Sequence, residues 1–137
     1  DYDKQVLEEI YDRYGDLGNI QLANELITLQ NAQEYYGKAS IVLTNRLHVM
    51  LLGYKYGALT VGLTDIKEHS KIFGIFKDEQ LENHLIDINS TDDDICSSYD
   101  SLALNLNYEW KKIHDVELKN YMVLKDIFKF IFLTGRK

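Results

Sequence analysis

A chain of 137 residues with 45% hydrophobic and 27% charged side chains has the size and composition of one globular domain, and these averages exclude disordered and fibrous classes. A formal net charge of −7 and a single cysteine exclude a polycation that wraps nucleic acid, an intramolecular disulfide and a cysteine-based zinc cage. No run of about 18 apolar residues suggests a membrane span, and no secretory leader opens the chain, so a reduced, cytoplasmic setting is expected.

Proline is absent, which favours long helices, because proline removes an intrahelical donor and clashes with the preceding turn. Asp1 in place of a methionine fits either a trimmed chain or a fragment of a longer protein. Over 3–14, Val6, Leu7, Ile10, Tyr11 and Tyr14 recur at helical spacing and Gly15 stops the run. Asp16 to Asn19 reads as a tight link with Asn19 as N-cap. A second helix is expected over 20–36 through Ile20, Ala23, Leu26, Ile27 and Tyr35, closing at Gly37.

Ser40 to Tyr56 suits a buried helix closed by Gly57, although Ile41-Val42-Leu43 and Leu59-Thr60-Val61 are β-prone. Thr64 or Asp65 would cap a short helix to Phe73, broken at Gly74. Asp78 would start another, with Leu81, Leu85 and Ile86 inward. Residues 89–100 read as a polar loop. Residues 102–110 alternate with a strand period but also share a helix face, and helix is favoured. The most apolar helix is expected over 115–133, with Asp115 as N-cap and Gly135 beyond its end.

The expected fold is mainly α, a single domain over 1–137 built as a bundle of about five to seven helices. The alternative is α+β with a small sheet from residues 40–62 and 102–110.

Charge distribution is the most informative functional feature. Eight of the 22 carboxylates lie between Asp78 and Asp100 with no Lys or Arg among them, so this window is more negative than the whole chain. Such a block repels nucleic acid and anionic lipid and attracts basic partners. Asp92-Asp93-Asp94 lacks the alternating acids, central Gly and terminal Glu of a calcium loop. Cys96, two residues after these aspartates, is disfavoured as a thiolate nucleophile.

His48, His69, His84 and His114 form no zincin or di-iron pattern; Asp65 with His69 and His84 with Asp87 are one-turn pairs explained by capping. No metal and no cofactor is expected, because phosphate-loop, dinucleotide and nucleophile-elbow motifs are all missing. Six of the ten tyrosines end expected helices: Tyr11 and Tyr14, Tyr35-Tyr36, and Tyr54-x-Tyr56.

The expectation is therefore a non-catalytic protein-binding module that inhibits or regulates a basic, nucleic-acid-handling partner through Glu82, Asp87, Asp92, Asp93 and Asp94. The alternative is an effector or dimerisation domain of a bacterial or phage transcription regulator, with Tyr121, Val123 and Phe130 at a homodimer interface. No direct nucleic-acid binding is expected: a helix-turn-helix over 16–50 would have only Lys38 and Arg46 to neutralise phosphates. Membrane association is not expected either.

Overall fold

The computed structural model describes residues 2–116. Of the expected helix over 115–133, all but Asp115 and Val116 lies outside them, as do the expected interface residues Tyr121, Val123 and Phe130. The chain divides into two compact units, Asp1–Gln30 and Asn31–Lys137.

In the first unit, α1 (Tyr2–Tyr14) forms where the spacing predicts it and buries no residue. One 3-10 turn, Gly15–Leu17, follows, and Gly18 takes φ 107°, a left-handed value that glycine adopts without strain. The helix expected over 20–36 does not form along that length. Residues 20–30 are irregular, and the helical part is confined to α2 (Ala32–Tyr36). A short helix in water needs a packed apolar face. Ala32 and Tyr36 have one, being buried, whereas none of residues 20–30 is buried. The helix-turn-helix geometry over 16–50 is therefore absent.

The second unit is built on a parallel sheet. The expected single helix over 40–56 is split into β1 (Ile41–Thr44) and α3 (Leu47–Tyr56), and β2 (Leu59–Thr64) follows. Local propensity explains the split. Ile41, Val42 and Thr44 are β-branched, whereas Leu47 to Leu52 is rich in helix formers. Gly57 closes α3 at φ 101°, its N–H donating to the Gly53 and Tyr54 carbonyls.

β1 pairs parallel to β2 with Ile41 opposite Leu59, and β2 pairs parallel to β3 (Leu85–Asp87) with Gly62 opposite Leu85. The order is β1-β2-β3, with helical crossovers between them. Leu59 to Gly62 are buried without alternation, as expected of a strand covered on both faces. α3 lies against β1 and β2, close enough that a Cβ on Gly53 would sit 2.1 Å from Thr60 Cγ2.

α4 (Ser70–Asp78) runs through Gly74 instead of stopping there. Packing of Ile72, Phe73 and Phe76 outweighs a glycine cost of about 1 kcal/mol. The helix expected to start at Asp78 does not form: Asp78 ends α4, Gln80 turns the chain at φ 59°, Glu82–His84 make a 3-10 turn, and β3 follows. Leu81, Leu85 and Ile86 are nonetheless buried, as their apolarity predicts.

The expected loop over 89–100 is instead the start of α5 (Asp92–Leu104). Thr91 caps it, its hydroxyl accepting from the Asp94 N–H at 3.2 Å, and three aspartates occupy the first turn, where the helix end is positive. Residues 106–116 are helical and form α6, so 102–110 contributes helix, as favoured, and no strand. Asp115 sits inside this helix instead of capping one.

The fold is thus mostly helical around a small three-stranded parallel sheet, nearer the α+β alternative than a bundle. One core joins Met50 and Tyr54 of α3, Leu59 and Val61 of β2, Phe76, Leu85, Leu102 and Ile113. No helix of the described residues is long and apolar enough to cross a membrane.

Candidate functional site

Parallel pairing brings the loops after β1, β2 and β3 to the same end of the sheet. In open α/β sheets ligands bind outside the carboxyl ends of the strands, where loops are free to vary over a fixed scaffold.

After β1, Thr44 Oγ1 accepts from the Arg46 N–H at 3.0 Å, turning the chain into α3. Arg46 occupies the N-cap position in an extended conformation and provides no side-chain cap. The first turn of α3 carries no acid, so the positive helix end is met by Arg46 and His48, both exposed. The α5 terminus differs, being capped by Thr91 and balanced by Asp92, Asp93 and Asp94.

After β2, Asp65 Oδ1 accepts from the Lys67 and Glu68 N–H groups at 3.0 and 3.1 Å. The Glu68 amide and then the Asn89 side chain hold the Asp65 carboxyl below the usual carboxylate range. After β3, Asp87 Oδ1 accepts from the Asn89 backbone N–H at 3.1 Å and from Asn89 Nδ2 at 3.3 Å. Asn89 therefore links the β2 and β3 loops. The edge is polarised, with Arg46 and His48 after β1 and Asp65 and Asp87 after β2 and β3.

The residues singled out for partner binding separate into groups. Asp92, Asp93 and Asp94 are exposed on one helical turn. Asp87 is half-buried and organises the β3 turn. Glu82 is half-buried, and its Oε2 is fully covered without a hydrogen bond among the described residues. The named carboxylates thus differ in exposure and in local role. Cys96 is exposed.

A second polar constellation lies at the amino ends of the strands. His84 is 0% exposed and immediately precedes β3. Its Nε2 lies 2.7 Å from Glu109 Oε2, and its Nδ1 lies 2.7 Å from the Tyr54 hydroxyl, itself 3.2 Å from the Thr60 carbonyl. Glu109 accepts from Asn83 Nδ2 at 3.0 Å and pairs with Lys112 at 3.0 Å, while Lys112 donates to Asn83 Oδ1 at 3.1 Å.

Burial lowers the His84 imidazole, outweighing its contact with Glu109, so it is neutral at pH 7. An ionised carboxylate only accepts, so the neutral ring carries its proton on Nε2 and receives the Tyr54 hydroxyl at Nδ1. Burial also raises the Tyr54 phenol. For Glu109, burial pushes upward, but the hydrogen bonds from His84, Lys112 and Asn83 prevail and keep the carboxyl below its usual range. The one-turn pairing of His84 with Asp87 is therefore not made; the histidine turns inward to α3 and α6.

A depression of about 340 Å³ lies beside this network, lined by Asn83, Leu85, Ser97, Ser98, Ser101 and Leu102. His84 and Glu109 do not open into it.

Neither Arg46 with His48 nor Tyr54 with His84 and Glu109 stands out in the sequence. For the first pair a signal exists: Asn45-Arg46 sits between a β-branched run and a helical pattern, the mark of a βα turn. For the second there is none, because its members lie 25 and 30 residues apart.

Comparisons with protein-family models, with curated proteins and with solved structures returned no match.

Proposed function

We propose that the second unit is a ligand-binding α/β domain that holds a small anionic molecule, carrying phosphate or carboxylate, at the carboxyl ends of its parallel strands. The observation that carries this reading is the β1–α3 loop. It opens at the strand edge where such folds take ligands, and it presents Arg46 and His48 beside a helix N-terminus with no acid of its own. Arginine supplies a fork that matches both anions, and helix amides add donors. No reaction is assigned to the site.

Inorganic phosphate, pyrophosphate and citrate are suitable probes, read by thermal shift and by amide chemical shifts. At least one should stabilise the protein by mass action and move the Arg46–Val49 amides. Arg46→Ala should weaken that binding about tenfold or more, the scale of one charge-assisted hydrogen bond. Equal responses from the parent and the variant would remove the reading.

One observation favours a second reading. Asp92, Asp93 and Asp94 stand exposed on a single turn, so a basic protein could dock there, as the charge window suggests. Lysine at these positions would also oppose the α5 dipole. The cleaner test is the triple Asp→Asn change, which should slow association with a basic partner and flatten its salt dependence. An unaltered on-rate across a salt series would set this reading aside.

A further inference from the structure

The buried network at the amino ends of the strands takes no part in the proposed ligand site, and its architecture points to a different role. We propose that His84 is an acid-sensitive latch: neutral, it holds α6 against the sheet, and its protonation releases α6.

The geometry concentrates the polar attachment of α6 at one place. Glu109 and Lys112 are one turn apart on α6, and both reach the Asn83-His84 pair that precedes β3. Among the described residues, α6 is further held by apolar packing: Ile113 is buried, and Leu106, Trp110 and Val116 pack against the core at partial burial. Such contacts are indifferent to pH, so this cluster is the pH-sensitive part of the hold that the described residues show.

Among the described residues, four ionisable groups face His84. Tyr54 approaches from α3, Glu82 from the 3-10 turn that His84 itself ends, and Glu109 and Lys112 from α6. Glu82 and Glu109 favour a charged imidazole, Lys112 opposes it, and Tyr54 stays neutral. Removal of the ring from water outweighs the two carboxylates.

Release of α6 lifts Glu109 and its helix off His84 and returns the ring to water. The opened state therefore takes up a proton more readily than the docked one. Between the usual 6.5 and the lower docked value, each unit of acidification raises the ratio of released to docked protein by roughly tenfold. Glu109 adds a second uptake only at lower pH, since its docked carboxyl also lies below its usual range.

Trp110 is the only tryptophan and lies on α6, so its emission reports docking directly. The experiment follows Trp110 emission from pH 7.5 to 5.0 in the parent, His84→Gln and Glu109→Gln, with hydrogen exchange of the β2 amides as a check on global unfolding. The parent should red-shift with a midpoint below 6.5 while β2 stays protected. His84→Gln should show no step in this range. Glu109→Gln should move the step to higher pH, because losing the carboxylate charge lowers the docked imidazole further and weakens the hold on Lys112, so less acid is needed for release.

Flat parent emission, an unchanged step in His84→Gln, or a step moved to lower pH in Glu109→Gln would each overturn the latch. So would simultaneous loss of β2 protection. Should His84→Gln not fold, the His84 Cε1 proton in the parent decides between the same outcomes. It must titrate together with Trp110, and a titration displaced from the emission step refutes the proposal.

Discussion

Thr60 shows how one buried atom departs from full satisfaction. Its side chain is 0% exposed, and Oγ1 has no hydrogen-bond partner among the described residues. A buried hydroxyl without a partner carries a desolvation cost of about 1–3 kcal/mol. Thr60→Val keeps the shape and deletes the polar atom, so it should raise stability by about 1 kcal/mol in urea unfolding. An unchanged or lowered midpoint at constant slope would mean that the hydroxyl is satisfied.

Glu109 gives the opposite expectation. Three donors converge on its carboxylate, and its loss leaves His84 and Asn83 without their acceptor and Lys112 without its charge partner. Glu109→Ala should cost about 3–5 kcal/mol in urea unfolding, the usual effect of breaking a buried pair from one side. Glu109→Gln keeps an acceptor for His84 and should cost clearly less.

At the scale of elements, the α3–β2 contact depends on glycine for lack of space, not for backbone freedom. A methyl on Gly53 would meet Thr60 Cγ2 at 2.1 Å, within a helix that cannot retreat without uncovering Met50 and Tyr54. Gly53→Ala should destabilise by about 1–3 kcal/mol through overpacking. The Gly53→Ala, Thr60→Ser double variant removes the opposing methyl and should recover at least half of that loss. Additive costs would place the strain elsewhere.

Particular residues explain which elements are legible in the sequence. Tyr14, Tyr36 and Tyr56 end α1, α2 and α3, and glycine follows each, so these stops can be read directly. The short strands are harder, because Ile41 to Leu43 continue into a helical pattern and only pairing with Leu59 to Val61 makes them a strand. α5 is hidden for a different reason. Asp92, Asp93 and Asp94 look like a solvated loop by composition, yet behind Thr91 they are a helix start. The same fact changes the functional reading, since part of the charge that dominates the composition balances a helix end. The Tyr54–His84–Glu109 contacts are wholly tertiary and follow no local period.

For the whole molecule, the buried histidine fixes how stability responds to acid. The folded His84 imidazole lies below its usual 6.5, so above 6.5 both folded and unfolded states are neutral there and the stability is fully present. As pH falls below 6.5, the unfolded chain binds the proton first and stability declines through the folded value. Glu109 and Asp65, both held below their ordinary carboxylate ranges, extend the decline below about pH 4.5. The urea midpoint should therefore be level from pH 8 to about 6.5 and then fall in two limbs. His84→Gln should be flat across the first limb and retain the second, while Glu109→Gln should weaken the second. A midpoint that rises between pH 6.5 and 5 would show the folded imidazole to be raised. It would mean that the Glu109 contact, not burial, governs the ring.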